Sequence, residues 1–150
     1  MKRHFGSWAS RLFRGGTTLS DSEYHILSLL VAELPPRLRE RVEQQFDSYD
    51  LVQREVDNRT LNFYPRRPGV PLAAAIILKS KLEVAPLMRL NLSVAGQPEP
   101  LNAVLTAVRG RAFSVSFNRA LSANVSPADM SVKKVTHAWQ SNFEDAASAA

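Results

Sequence analysis

In the stretch Val108-Arg109-Gly110-Arg111-Ala112-Phe113-Ser114-Val115-Ser116-Phe117-Asn118, the apolar Phe113, Val115 and Phe117 alternate with Ser114, Ser116 and Asn118. Period-two alternation sends the two sets to opposite faces of a strand, so Phe113, Val115 and Phe117 are expected to face a core. The preceding Arg109-Gly110 reads as a tight hairpin turn back to a strand over Leu101–Val108. Upstream, Met88, Leu90, Leu92 and Val94 alternate in the same way with Arg89, Asn91 and Ser93. The loop Gly96-Gln97-Pro98-Glu99-Pro100 separates that strand from the next. Connections this short predict antiparallel pairing.

Further strands are expected on both sides. Leu51–Val56 and Arg59–Tyr64 flank Asp57-Asn58 as a hairpin, with Leu51–Val56 readable instead as a last helical turn. Leu61 and Phe63 would share one face, Asn62 and Tyr64 the other. Pro65 to Pro71 holds three prolines and is a loop, and the apolar run after it predicts a buried strand over Leu72–Lys79. Val132–Trp139 fits either a closing strand or a short helix.

Before the strands the period is helical. Ser20 with Glu23 three residues on forms a capping box, and Tyr24, Leu27, Leu30, Val31 and Leu34 follow on one face. Pro35-Pro36 ends this helix and opens the next, whose apolar face is Leu38, Val42, Phe46 and Tyr49. The fold class expected is α+β, an N-terminal antiparallel helical hairpin packed on a mainly antiparallel sheet of about four to six strands. One domain is expected over residues 20–140, between a basic tail at 1–19 and a C-terminal tail at 141–150.

Composition narrows the functional classes. A hydrophobic content of 45% in 150 residues is enough for one core without covalent staples. With no cysteine, thiolate metal sites, disulfides and a thiol nucleophile are excluded, which fits a cytoplasmic protein. No apolar run approaches a bilayer span, and no apolar segment follows Lys2 and Arg3 as a secretory signal requires. Arg3, Arg11 and Arg14 with Phe5, Trp8, Leu12 and Phe13 read as a mobile tail detached by Gly15-Gly16, or as a basic amphipathic helix for a membrane or acidic partner.

The net charge of +5 is unevenly spread. Residues 20–60 carry nine acidic and five basic side chains, whereas residues 61–150 carry ten basic and five acidic. No site chemistry emerges from local spacing. His4, His25 and His137 are scattered without ligand-type neighbours, no serine sits in a nucleophile elbow, and no glycine-rich phosphate loop is present. Glu40, Glu43, Asp47, Asp50, Glu55 and Asp57 alternate with Arg37, Arg39, Arg41 and Arg54 as a solvated, ion-paired face does. The chain is therefore expected not to be an enzyme, and to use no cofactor or metal ion, the alternative being an enzyme whose site assembles only in three dimensions.

The candidate binding residues are Tyr64, Arg66 and Arg67, in Asn62-Phe63-Tyr64-Pro65-Arg66-Arg67-Pro68, extended by Lys79, Lys81 and Arg89. Tyrosine and arginine are enriched at binding hot spots, and arginine grips carboxylate or phosphate bidentately. The bland reading of the segment is a solubilising loop. Nucleic acid is a second use for the same basic residues together with Arg109 and Arg111. Stacking of bases on the sheet is disfavoured by the expected inward placement of Phe113 and Phe117.

The order of two helices then an antiparallel sheet, with the strand–turn–strand pattern of Val108 to Phe117, resembles small bacterial proteins of unassigned role. Some of these are similar to immunity partners of polymorphic or contact-dependent toxins. The resemblance covers residues 72–139 and implies a non-enzymatic, protein-binding role with a toxin domain as partner. It carries over no functional residue. Immunity proteins that neutralise nucleases are often acidic, and this chain departs from that pattern in being basic overall.

Overall fold

Ser20 starts the first helix, α1 (Asp21–Ala32), by a reciprocal cap. Its hydroxyl accepts the Glu23 backbone N–H at 3.1 Å, and the Glu23 carboxylate accepts the Ser20 backbone N–H at 2.8 Å. Two of the donors that a first helical turn leaves open are thereby satisfied, as the spacing predicts. The computed structural model describes residues 19–49, 51–64, 71–122 and 124–143. Arg66 and Arg67 lie outside the described residues, as do the basic segment 1–18, Asp50 and residues 144–150.

Pro35 and Pro36 separate α1 from α2 (Pro36–Asp47), where proline in the first turn costs no hydrogen bond. Ile26, Leu27, Leu30 and Val31 of α1 and Leu38, Val42 and Phe46 of α2 are fully buried, with Tyr49 just beyond. Phe46 meets Tyr49 and Phe63 edge to face, with ring centroids 5.5 and 5.0 Å apart.

The strands are β1 (Leu51–Arg54), β2 (Thr60–Tyr64), β3 (Val84–Val94), β4 (Leu101–Val108), β5 (Arg111–Phe117) and β6 (Met130–Thr136). They form one open sheet in the order β1-β2-β5-β4-β3-β6, with every neighbouring pair antiparallel. The fold is thus α+β, two helices followed by an antiparallel six-stranded sheet. The β4–β5 turn has positive φ at both Arg109 and Gly110, the geometry whose twist matches a two-residue hairpin. The Val132–Trp139 stretch divides, with strand to Thr136 and a short helix α3 (Trp139–Asn142) after it. Beyond α3, Phe143 is buried in the core and bridges to Ser80.

The strand expected over Leu72–Lys79 does not form. A 3-10 turn, Ala74–Ile76, stands there instead. The Ile76 carbonyl accepts the Gln45 side-chain amide at 2.6 Å, and the Leu78 N–H is donated to the Gly110 carbonyl at 2.9 Å. β3 and β4 already have neighbours on both sides, so the segment finds no free sheet edge there and its polar backbone is satisfied by α2 and the hairpin turn.

Candidate binding surface

Strand register divides the sheet side chains between two faces. Leu61, Phe63, Leu105, Val115 and Phe117 are buried on the side where α1 contacts β3 and β4 and α2 contacts β5. The opposite face is left uncovered by these helices. Cross-strand rows run over it as Gln53–Asn62–Ser114–Thr106–Pro86 and as Thr60–Ser116–Val104–Arg89–Thr136. A third row is Asn102–Asn91–Lys134, in which Asn91 Nδ2 donates to Asn102 Oδ1 at 2.7 Å. Directly opposed residues of antiparallel strands share a face, so these rows form one surface.

Phe113 belongs to this surface, and not to the core as its alternation predicts. The β4–β5 register passes from Thr106–Ser114 to Ala107–Ala112, leaving Phe113 as an extra residue on β5. Such a bulge breaks the two-residue phase and re-aims the side chains around it. Ala112 on one side and Val115 and Phe117 on the other are buried, while Phe113 is half-buried against Tyr64. The Tyr64 and Phe113 rings meet edge to face, centroids 5.3 Å apart and planes at 85°. The sequence objection to base stacking on the sheet therefore fails for Phe113 and holds for Phe117. The one signal of this in the sequence is that Ala112 and Phe113 put apolar residues in both phases of the strand.

Tyr64 shares the uncovered face with Arg89, but β5 and β4 lie between their strands, a separation of about 14 Å across the sheet. Lys79 and Lys81 are exposed but belong to no strand. They sit in the connection before β3, where the Lys81 N–H is donated to the Asn142 carbonyl at 2.8 Å. Arg109 is exposed at the hairpin turn and paired with Glu83 at 2.9 Å. Arg111 takes an uncovered-face register position opposite Val108, and its side chain reaches the Tyr49 hydroxyl. Burial pushes the Tyr49 phenol above its ordinary value, against the opposing pull of the Arg111 cation.

A cleft of about 360 Å³ lies elsewhere, lined by Ser20, Glu23, Arg54, Asn58, Ala120, Leu121 and Ser122. Its carboxylate is already committed, because Glu23 caps α1 and also accepts from Arg54 Nε at 3.2 Å. That arrangement pins β1 to the start of α1. Among the described residues no group of histidine and carboxylate side chains could hold a metal ion, and no helix is long and apolar enough to cross a membrane. No protein-family model, curated protein or solved structure matches this chain.

Proposed function

We propose that this chain is a non-enzymatic binding module that engages another macromolecule through the uncovered face of its sheet. The observation that carries this reading is the bulge that turns Phe113 out of the core and against Tyr64. An unbroken ladder would bury Phe113 with Val115 and Phe117. The bulge gives up ladder pairing to place an aromatic pair on a polar, half-exposed face, where aromatic surface serves contact better than stability. Toxin neutralisation or an adaptor role is one form of such binding. The packing of a helical pair on the far side supports the reading by holding the sheet rigid, which lowers the entropic cost of binding.

Co-purification from the native host tests it, using tagged wild-type chain, Thr106→Glu at the centre of the uncovered face, and Glu40→Lys on the exposed side of α2. A protein or nucleic acid held by the wild type and Glu40→Lys, and lost by Thr106→Glu, is the expected result. Equal retention by all three would overturn the assignment of this face.

A further inference from the structure

The strands are lopsided in charge. None of the six contains an aspartate or glutamate, yet they carry Arg54, Arg89, Arg111, Lys133 and Lys134. The acidic excess of the chain falls in residues 20–60, and five of the nine acidic side chains there lie on the helices behind the sheet. Of the strand cations, Arg54 faces the helices and pairs with Glu23. Arg89 and Lys134 stand on the uncovered face in adjacent rows, both exposed. Several carboxylates lie in the connections between strands, among them Glu55, engaged by the Asn62 amide at 3.0 Å, Glu83, engaged by Arg109, Asp57, which accepts the Arg59 N–H at 2.9 Å, and Asp129, which accepts the Ser126 N–H at 3.0 Å.

We infer that the occupant of this face is a single-stranded nucleic acid. The assignment rests on the uncovered face being the working surface. Three features of that surface match such a strand and occur together. Arg89 and Lys134 supply phosphate contacts at the β3–β6 side. The Tyr64–Phe113 pair stands on β2 and β5, three and two strand spacings from Arg89 on β3 (about 14 and 10 Å across the sheet) and offset from it along the strands, and offers half-open ring surface on which a base can stack. Between them lie Ser114, Ser116, Thr106 and Asn102, neutral groups able to hydrogen-bond base edges or sugar hydroxyls. A duplex presents its bases already stacked and offers the aromatic pair nothing, so the surface selects for unpaired strands. An acidic protein would satisfy the cations but would give the polar rows and the aromatic pair no combined role.

Fluorescence anisotropy with a labelled deoxythymidine 12-mer and the matching uridine 12-mer tests the inference on the full chain. A duplex of equal length and a glutamate polymer serve as competitors. Binding of the single strands is expected, weakening steeply with salt and resisting both competitors. Phe113→Ala should weaken it about tenfold, the scale of one base–aromatic stack. Arg89→Ala and Lys134→Ala should each lower the slope of log affinity against log salt by about 0.7. Arg89→Glu, at an exposed position, supplies a variant whose folding is not in question and should abolish binding. No single-strand binding at low salt, equal competition by duplex or glutamate polymer, or wild-type affinity in Arg89→Glu would each overturn the inference. If Thr106→Glu still lost a protein from host extract while the oligonucleotides failed to bind, the working face would stand and its nucleic-acid occupant would fall.

Discussion

Gln45 of α2 accepts the backbone N–H of Ala112 on β5 at 2.7 Å, inside the core and across 67 positions of sequence. The same side chain donates to the carbonyls of Ile76 and Gly110, at 2.6 and 3.0 Å. One fully buried amide thus satisfies three backbone groups next to the β5 bulge, where the sheet ladder cannot. Gln45→Leu keeps the volume but leaves the Ala112 N–H and the Ile76 carbonyl without this partner, while the Gly110 carbonyl keeps the Leu78 N–H, and should cost about 3 kcal/mol. Denaturant unfolding monitored by circular dichroism checks this; a loss under about 0.5 kcal/mol would show that the backbone finds other partners.

Gly110 occupies a tight corner of the same region. Its φ is +79°, and a Cβ there would run into the Leu78 carbonyl oxygen, whose position is fixed by the Leu78 N–H bond to the Gly110 carbonyl. Gly110→Ala should therefore destabilise by more than the usual left-handed penalty, by about 3 kcal/mol. Gly96, also at positive φ, has nothing within 4 Å of the place a Cβ would take. Gly96→Ala should cost only about 1 kcal/mol, and a thermal melt comparing the two separates steric conflict from backbone strain.

Tyr49 ties stability to pH. Its hydroxyl donates to the Ala112 carbonyl at 2.8 Å, and burial raises its pKa above the ordinary 10.0. A group that binds its proton more tightly when folded lends stability that is intact below its unfolded pKa and is lost as pH rises through the folded one. Stability should accordingly fall as pH climbs above 10. Tyr49→Phe should lose about 1 kcal/mol at neutral pH through the missing hydrogen bond, and should show a shallower decline at alkaline pH. Urea titrations at neutral pH and in the alkaline range would read both effects, and an unchanged alkaline slope in Tyr49→Phe would assign the decline to other groups.

The β6 edge carries Lys133 and Lys134 beside Val132, which is 43% exposed. Lysines on an edge strand discourage pairing with a second chain by forcing charge into any new ladder. Replacing both with valine should produce concentration-dependent dimers or larger species by light scattering. A strictly monomeric variant would show that the edge is protected by its bulge opposite Asn91 and Leu92 rather than by charge.

Sequence alone determined the elements whose cause is local. Ser20 and Glu23 cap α1 because the spacing brings each side chain to the other's backbone, and Pro35-Pro36 interrupts the helices for steric reasons that need no neighbour. The alternation over Leu90–Val94 likewise places the right side chains in the core. Tertiary structure decided what depends on pairing. Leu72–Lys79 is apolar enough for a strand, yet the edges of β3 and β4 were taken, and Gln45 and Gly110 claimed its backbone. Phe113 has the phase of a core residue until the ladder to β4 slips by one position. Strand phase is local only while the ladder is unbroken, and a bulge is a property of two strands together, so the aromatic pair on the uncovered face is written in their register.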